Sequence, residues 1–97
     1  MTKVLRDFIQ SVAPAVNRRL NLTGELLLSL KEEKIILERH WQCIDGKVEP
    51  YRRKIELLQI LPRRSDRAFA GFLEALTTHG NQEAASILQT GLFDYIV

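Results

Sequence analysis

Cysteine, proline, glycine and histidine are all scarce in this 97-residue chain: one, three, five and two residues, respectively. A lone cysteine, Cys43, excludes an internal disulfide, which suits a reducing compartment. Its thiol reads as one more small apolar group of the core. One cysteine and two histidines fall short of a zinc ligand set, so no metal is expected. The glycines are scattered singly, so there is no glycine-rich loop to cradle a phosphate and no cofactor is implied. Long apolar runs are missing too. Nothing approaches the roughly 20 residues that cross a bilayer. Residues 1–16 carry Asp7 and Pro14 within a broken apolar pattern, unlike a signal-peptide core. A cytoplasmic home without membrane attachment is the expectation.

The chain also lacks an arrangement for catalysis. Nucleophilic chemistry needs a Ser, Cys or Thr beside a base that a third group orients. His40 and Cys43 stand three apart on one predicted helix, a spacing that helical packing alone explains. Glu32 and Glu33 sit between Lys31 and Lys34, as in a solvated charged turn. No catalytic residue is assigned.

What is present is a strong helical period. Hydrophobic residues make up 45% of the chain and charged residues 27%, the balance of a globular domain. Apolar positions recur at three and four residues throughout, and no segment alternates as a half-buried strand would. The expected class is all-α: six helices joined by short connections, packed as an antiparallel bundle. The first runs over residues 2–19, with Val4, Leu5, Phe8, Ile9, Val12, Val16 and Leu20 inward. Pro14 should bend or split it.

Thr23 caps a second helix with Leu26, Leu27 and Leu30 on one side and Leu28 off that face. A third, over residues 38–45, buries some of Trp41, Cys43 and Ile44 and stops at Gly46. Pro50 opens a fourth, with Tyr51, Ile55, Leu58 and Leu61 along one face and Pro62 closing it. Ser65 or Asp66 caps a fifth that buries Phe69, Phe72, Leu73 and Leu76 and ends at His79-Gly80. Asn81 caps a sixth that reaches Gly91. The domain is therefore placed at residues 1–91, and 92–97 is a tail that packs on the bundle or begins a linker.

The net charge of +2 is too small to point to nucleic acid, but its distribution is uneven. Cations outnumber acids four to one over residues 1–19 and six to two over 50–67. Acids lead six to four over 20–49 and three to none over 68–97. Such blocks leave basic and acidic faces on one small domain, which favours a complementary protein surface. The densest cluster is Arg52, Arg53 and Lys54 with Arg63, Arg64 and Arg67. A nucleic-acid surface usually needs a more basic domain, and the neighbouring acids would repel phosphates. A protein-docking face needs only an acidic partner, and a plain solvated face is the other reading.

The segment Ile55-Glu56-Leu57-Leu58-Gln59-Ile60-Leu61-Pro62-Arg63-Arg64-Ser65-Asp66-Arg67-Ala68-Phe69-Ala70-Gly71-Phe72-Leu73-Glu74-Ala75-Leu76 resembles the fourth and fifth helices of caspase recruitment domains (CARDs) of the death-fold superfamily. The likeness is greatest to those of a long-prodomain initiator caspase and its adaptor. The order and spacing of residues 30–36 and of His79-Gly80-Asn81 through Leu88 extend the resemblance over nearly the whole chain. It implies a six-helix domain with a split first helix and no activity of its own. Its partner would be another CARD, in a caspase, adaptor or apoptosome scaffold, or a further copy in a homo-oligomer, in apoptotic signalling. A stand-alone decoy that blocks caspase recruitment is the alternative within the same fold.

In the family's pairing mode a basic surface on the first and fourth helices meets an acidic one on the second and third. By that match Arg52, Arg53 and Lys54 belong to the basic side, with Arg18 and Arg19 as further contributors. Where family members often carry a basic residue in the first helix, this chain has Ser11-Val12-Ala13-Pro14. Positions that commonly hold acids fall on Leu28 and Trp41, leaving Glu25, Glu38 and Asp45 as the acidic candidates. An exposed Leu28 and Trp41 would make that side partly apolar.

Overall fold

The structure, a computed structural model, describes residues 1–96. Six α-helices follow one another: α1 (Lys3–Arg19), α2 (Gly24–Glu32), α3 (Glu38–Asp45), α4 (Pro50–Ile60), α5 (Asp66–Thr78) and α6 (Gln82–Ile96). A single 3-10 turn, Leu61–Arg63, prolongs α4. The all-α bundle expected from the periodicity is what forms. Its radius of gyration, 12.2 Å, is close to the roughly 12.5 Å expected of a compact chain of this length.

The inward stripes meet in one core. Phe8, Ile9, Val16 and Leu20 come from α1 and its end; Leu26, Leu27 and Leu30 from α2; Ile44 from α3; Phe69, Phe72 and Leu76 from α5; Ala84, Ala85 and Leu88 from α6. Ile35 and Ile36, in the α2–α3 connection, are buried with them. Removing each large apolar side chain from water contributes about 1.5–3 kcal/mol. The helix starts are set as their residues dictate. Thr23 accepts from the Leu26 amide at 3.1 Å and Ser65 from the Ala68 amide at 3.3 Å, and Pro50 takes the first turn of α4. Gly80 turns the chain between α5 and α6 at φ +77°, a left-handed conformation that glycine adopts without strain.

Side-chain links between distant helix ends fix the topology. Asn81 is buried; its side-chain oxygen accepts from the Asn21 amide at 2.7 Å and its NH2 donates to the Asn21 carbonyl at 3.1 Å. The end of α1 is thereby pinned to the start of α6, so these two helices lie antiparallel, and Phe8 meets Tyr95 at the other end with ring centroids 5.5 Å apart. The Thr2 amide donates to Asp66 at 2.7 Å, joining the starts of α1 and α5.

Several local expectations are corrected. Helix α1 is not split at Pro14, which lies inside one helix. Val4 is exposed, not inward. On α4 the buried set is Leu57, Leu58 and Ile60, with Leu61 following; Tyr51 and Ile55 face outward. Cys43 is exposed instead of core, because Ile44 takes the inward position on α3. Asn81 immediately precedes α6, its carbonyl accepting from the Ala85 amide at 3.0 Å, and its side chain bridges to Asn21. Helix α6 continues past Gly91, where the Phe8 ring lies so close that an added Cβ would sit 3.2 Å from it. Residues 92–96 are thus helical, and Val97 lies outside the described residues.

Candidate functional site

The basic side begins where α4 crosses α1. Arg52, Arg53 and Lys54 follow one another on α4, and successive helical residues point about 100° apart. They do three different things. Arg52 is exposed, its Nε 3.6 Å from Glu49 and donating to the Tyr51 hydroxyl at 3.3 Å, with its guanidinium over the Tyr51 ring. Arg53 is half-buried and donates to the carbonyls of Lys47 at 2.7 Å and Asp45 at 3.3 Å, fastening the α3–α4 connection. Lys54, also half-buried, donates to the Asn17 carbonyl at 3.2 Å, in the last turn of α1 where the helix dipole favours a cation.

The other cations divide the same way. Arg64 reaches back to the α2–α3 connection and donates to the carbonyls of Ile35 at 2.9 Å and Lys34 at 3.3 Å. Arg63 and Arg67 are exposed. Arg19 makes an exposed ion pair with Glu83 at 3.3 Å, and Arg18 beside it is exposed with no ion pair among the described residues. The six-cation cluster is therefore not one free face: Arg53, Lys54 and Arg64 hold backbone of other segments, Arg63 donates to the Gln59 carbonyl at 3.3 Å, and Arg52 and Arg67 are exposed without a backbone contact among the described residues.

Between α1 and α4 the surface opens into a groove that the sequence pattern does not reveal. Ala13 and Pro14 form one wall; Ile55, Leu58 and Pro62 form the other, and Arg63 stands at its edge. The apolar spacing of α4 places Ile55 inward, but it is 39% exposed and adds apolar surface to that wall. Asn17, whose carbonyl accepts from Lys54, also lines the groove, beside the polar Gln10 and Gln59.

On α2 and α3, Leu28 is 46% exposed. Glu25, Glu38 and Asp45 are exposed as well. Trp41 is half-buried: part of its surface packs against the core, and the Lys31 ammonium lies over its ring at 4.7 Å. Lys31 also pairs with Glu38 at 2.8 Å, so one cation ties α2 to two residues of α3. Trp41 is neither wholly core nor free.

At the start of α3, His40 Nδ1 accepts from the Leu37 amide at 3.1 Å. Burial, and then the charges of Arg39, Arg64 and Arg63, hold the imidazole pKa below its usual value, with Glu56 opposing weakly. Among the described residues no three His, Cys, Asp or Glu side chains gather as metal ligands, and no helix is long and apolar enough to cross a membrane. No protein-family model matches the chain, and no solved structure matches it.

Proposed function

We propose that this chain is a non-catalytic docking domain of the CARD type, which pairs with another such domain to gather caspases or their adaptors. The observation that carries the reading is the α1–α4 groove, a largely apolar cleft lined also by Arg63 and by Asn17, whose carbonyl receives Lys54, on the side that the resemblance assigns to docking. Its counterpart on a partner is a surface with an apolar anchor ringed by acids. Exposed Leu28 and half-buried Trp41, on helices that also carry exposed Glu25, Glu38 and Asp45, offer residues of that kind on α2 and α3. Buried anchors supply most of the affinity in such contacts, and the charges supply rate and orientation.

The test uses the exposed cations, because Arg53 and Lys54 also hold backbone and their loss would disturb the fold. Arg18→Glu with Arg52→Glu should weaken binding to a panel of initiator-caspase and adaptor recruitment domains by about tenfold or more, since reversed charges now face acids. Helical circular dichroism should stay unchanged, and the melting temperature should fall by no more than a few degrees, the cost of an acid in the last turn of α1 and of a lost exposed pair with Glu49. Full binding by the folded double variant would remove α1 and α4 from the contact, and no binding by the native chain to any member of the panel would end the reading itself.

A further inference from the structure

We propose that His40 is a proton-released latch: its neutral ring holds the α2–α3 connection and the start of α3 in place, and taking up a proton from solvent lets both go. An amide N–H can only donate, so the ring nitrogen that receives Leu37 must carry no proton. Helix α3 needs that bond. It has only eight residues, and Leu37 at its N-cap offers no side-chain acceptor for the orphan amides of the first turn. His40 in the third helical position reaches back to Leu37, as the glutamate of a capping box does, and is the half of that arrangement present here.

The surroundings oppose an imidazolium from every side that is charged except one. Arg39 comes from α3 itself and Arg63 and Arg64 from the 3-10 turn and its end; Glu56 of α4 is the one acid among the groups acting on the ring. Arg64 at the same time holds the carbonyls of Lys34 and Ile35, the first of which sits at φ +60°, a conformation a lysine rarely takes. A proton on His40 thus removes the acceptor at Leu37 and adds repulsion against the arginine that clamps the preceding residues. Trp41 and Glu38 ride on the released turn. If α2 and α3 carry the docking surface proposed above, that surface is intact at neutral pH and loosens on acidification; this last step rests on that reading, while the latch does not.

The pH direction follows from linkage. The unfolded chain binds the proton more readily than the folded one, so the stability due to His40 is complete above the ordinary imidazole pKa of about 6.5 and is lost as pH falls through the lower folded value. Two-dimensional 1H–15N spectra and amide exchange on the native chain between about pH 7.5 and 5 test this in the window where imidazoles titrate. The protection factor of the Leu37 amide should fall about tenfold, the scale of one lost hydrogen bond, with the same midpoint as the His40 ring protons.

His40→Gln keeps a neutral acceptor and should hold Leu37 protected across the range. His40→Arg, which cannot accept, should resemble the acidified native chain already at neutral pH. A His40 titration that leaves Leu37 unmoved, or an undiminished pH response in His40→Gln, overturns the latch. Exchange at Leu37 is read on the isolated chain, so a failed search for a docking partner bears on the docking surface and not on the latch.

Discussion

Arg64 and Arg52 carry the same charge and lie on the same stretch of chain, yet they differ in what their removal exposes. Truncating Arg64 leaves the carbonyls of Lys34 and Ile35 without their donor beside a buried pair of isoleucines. Under-satisfied groups of this kind cost about 1–3 kcal/mol, so Arg64→Ala should lower the urea midpoint clearly at unchanged m-value. Arg52→Ala removes only exposed contacts and should stay within about 0.5 kcal/mol. Equal losses for the two would mean that the Arg64 clamp is not formed in solution. Three cations in a row are legible in the sequence as charge, but residues about 100° apart on a helix cannot share a face. Which one is free depends on where the α3–α4 connection and the end of α1 come to lie, and no local pattern carries that. Cys43 misleads for a related reason, since Ile44 next to it claims the single inward position on a short helix.

The helices themselves are readable to within a residue or two at most ends, because caps and breakers act locally: Thr23, Pro50 and Ser65 stand where their chemistry places them. The two differences of extent, at Pro14 and Gly91, share one cause, the packing of distant residues. A proline inside a helix forfeits the bond to the carbonyl four residues back, here that of Gln10, and costs about 3 kcal/mol relative to alanine. Phe8 and Ile9 before it and Val16 after it are buried against the other helices, and that burial outweighs a single missing bond. Pro14→Ala should accordingly raise stability by about 1–3 kcal/mol, read as a higher melting temperature with the same helical signal. A lower melting temperature would show that the proline ring on the groove wall contributes more than the bond it forfeits. Gly91 is no stop signal because it is small for a different reason: the Phe8 ring occupies the space a side chain would fill. Gly91→Leu should therefore destabilise by about 1–3 kcal/mol through overpacking, even though leucine is the better helix former, and a calorimetric melt checks the sign.

For the molecule as a whole, ion pairs contribute little to the fold, and the docking reading proposed above assigns the exposed charges to approach. The pairs Arg19–Glu83, Lys31–Glu38 and Arg52–Glu49 are all on the surface, where each is worth about 0.2–1 kcal/mol, while among the described residues the core is apolar apart from Asn81. Salt should then separate folding from docking. Raising ionic strength from about 0.05 to 0.5 M shortens the Debye length from more than about 10 Å to a few ångströms, which silences the alternating charged blocks at a distance. The melting temperature should move by no more than a few degrees, consistent with weak exposed pairs. Association with a recruitment-domain partner, followed by stopped flow, should slow about tenfold or more, whereas dissociation should change little if an apolar anchor fills the α1–α4 groove. Ile55→Ser, on the groove wall, should do the reverse, speeding dissociation at nearly constant association rate. A contact held by charge alone would instead dissociate faster in high salt and ignore Ile55, and the two kinetic patterns distinguish an anchored surface from a merely complementary one.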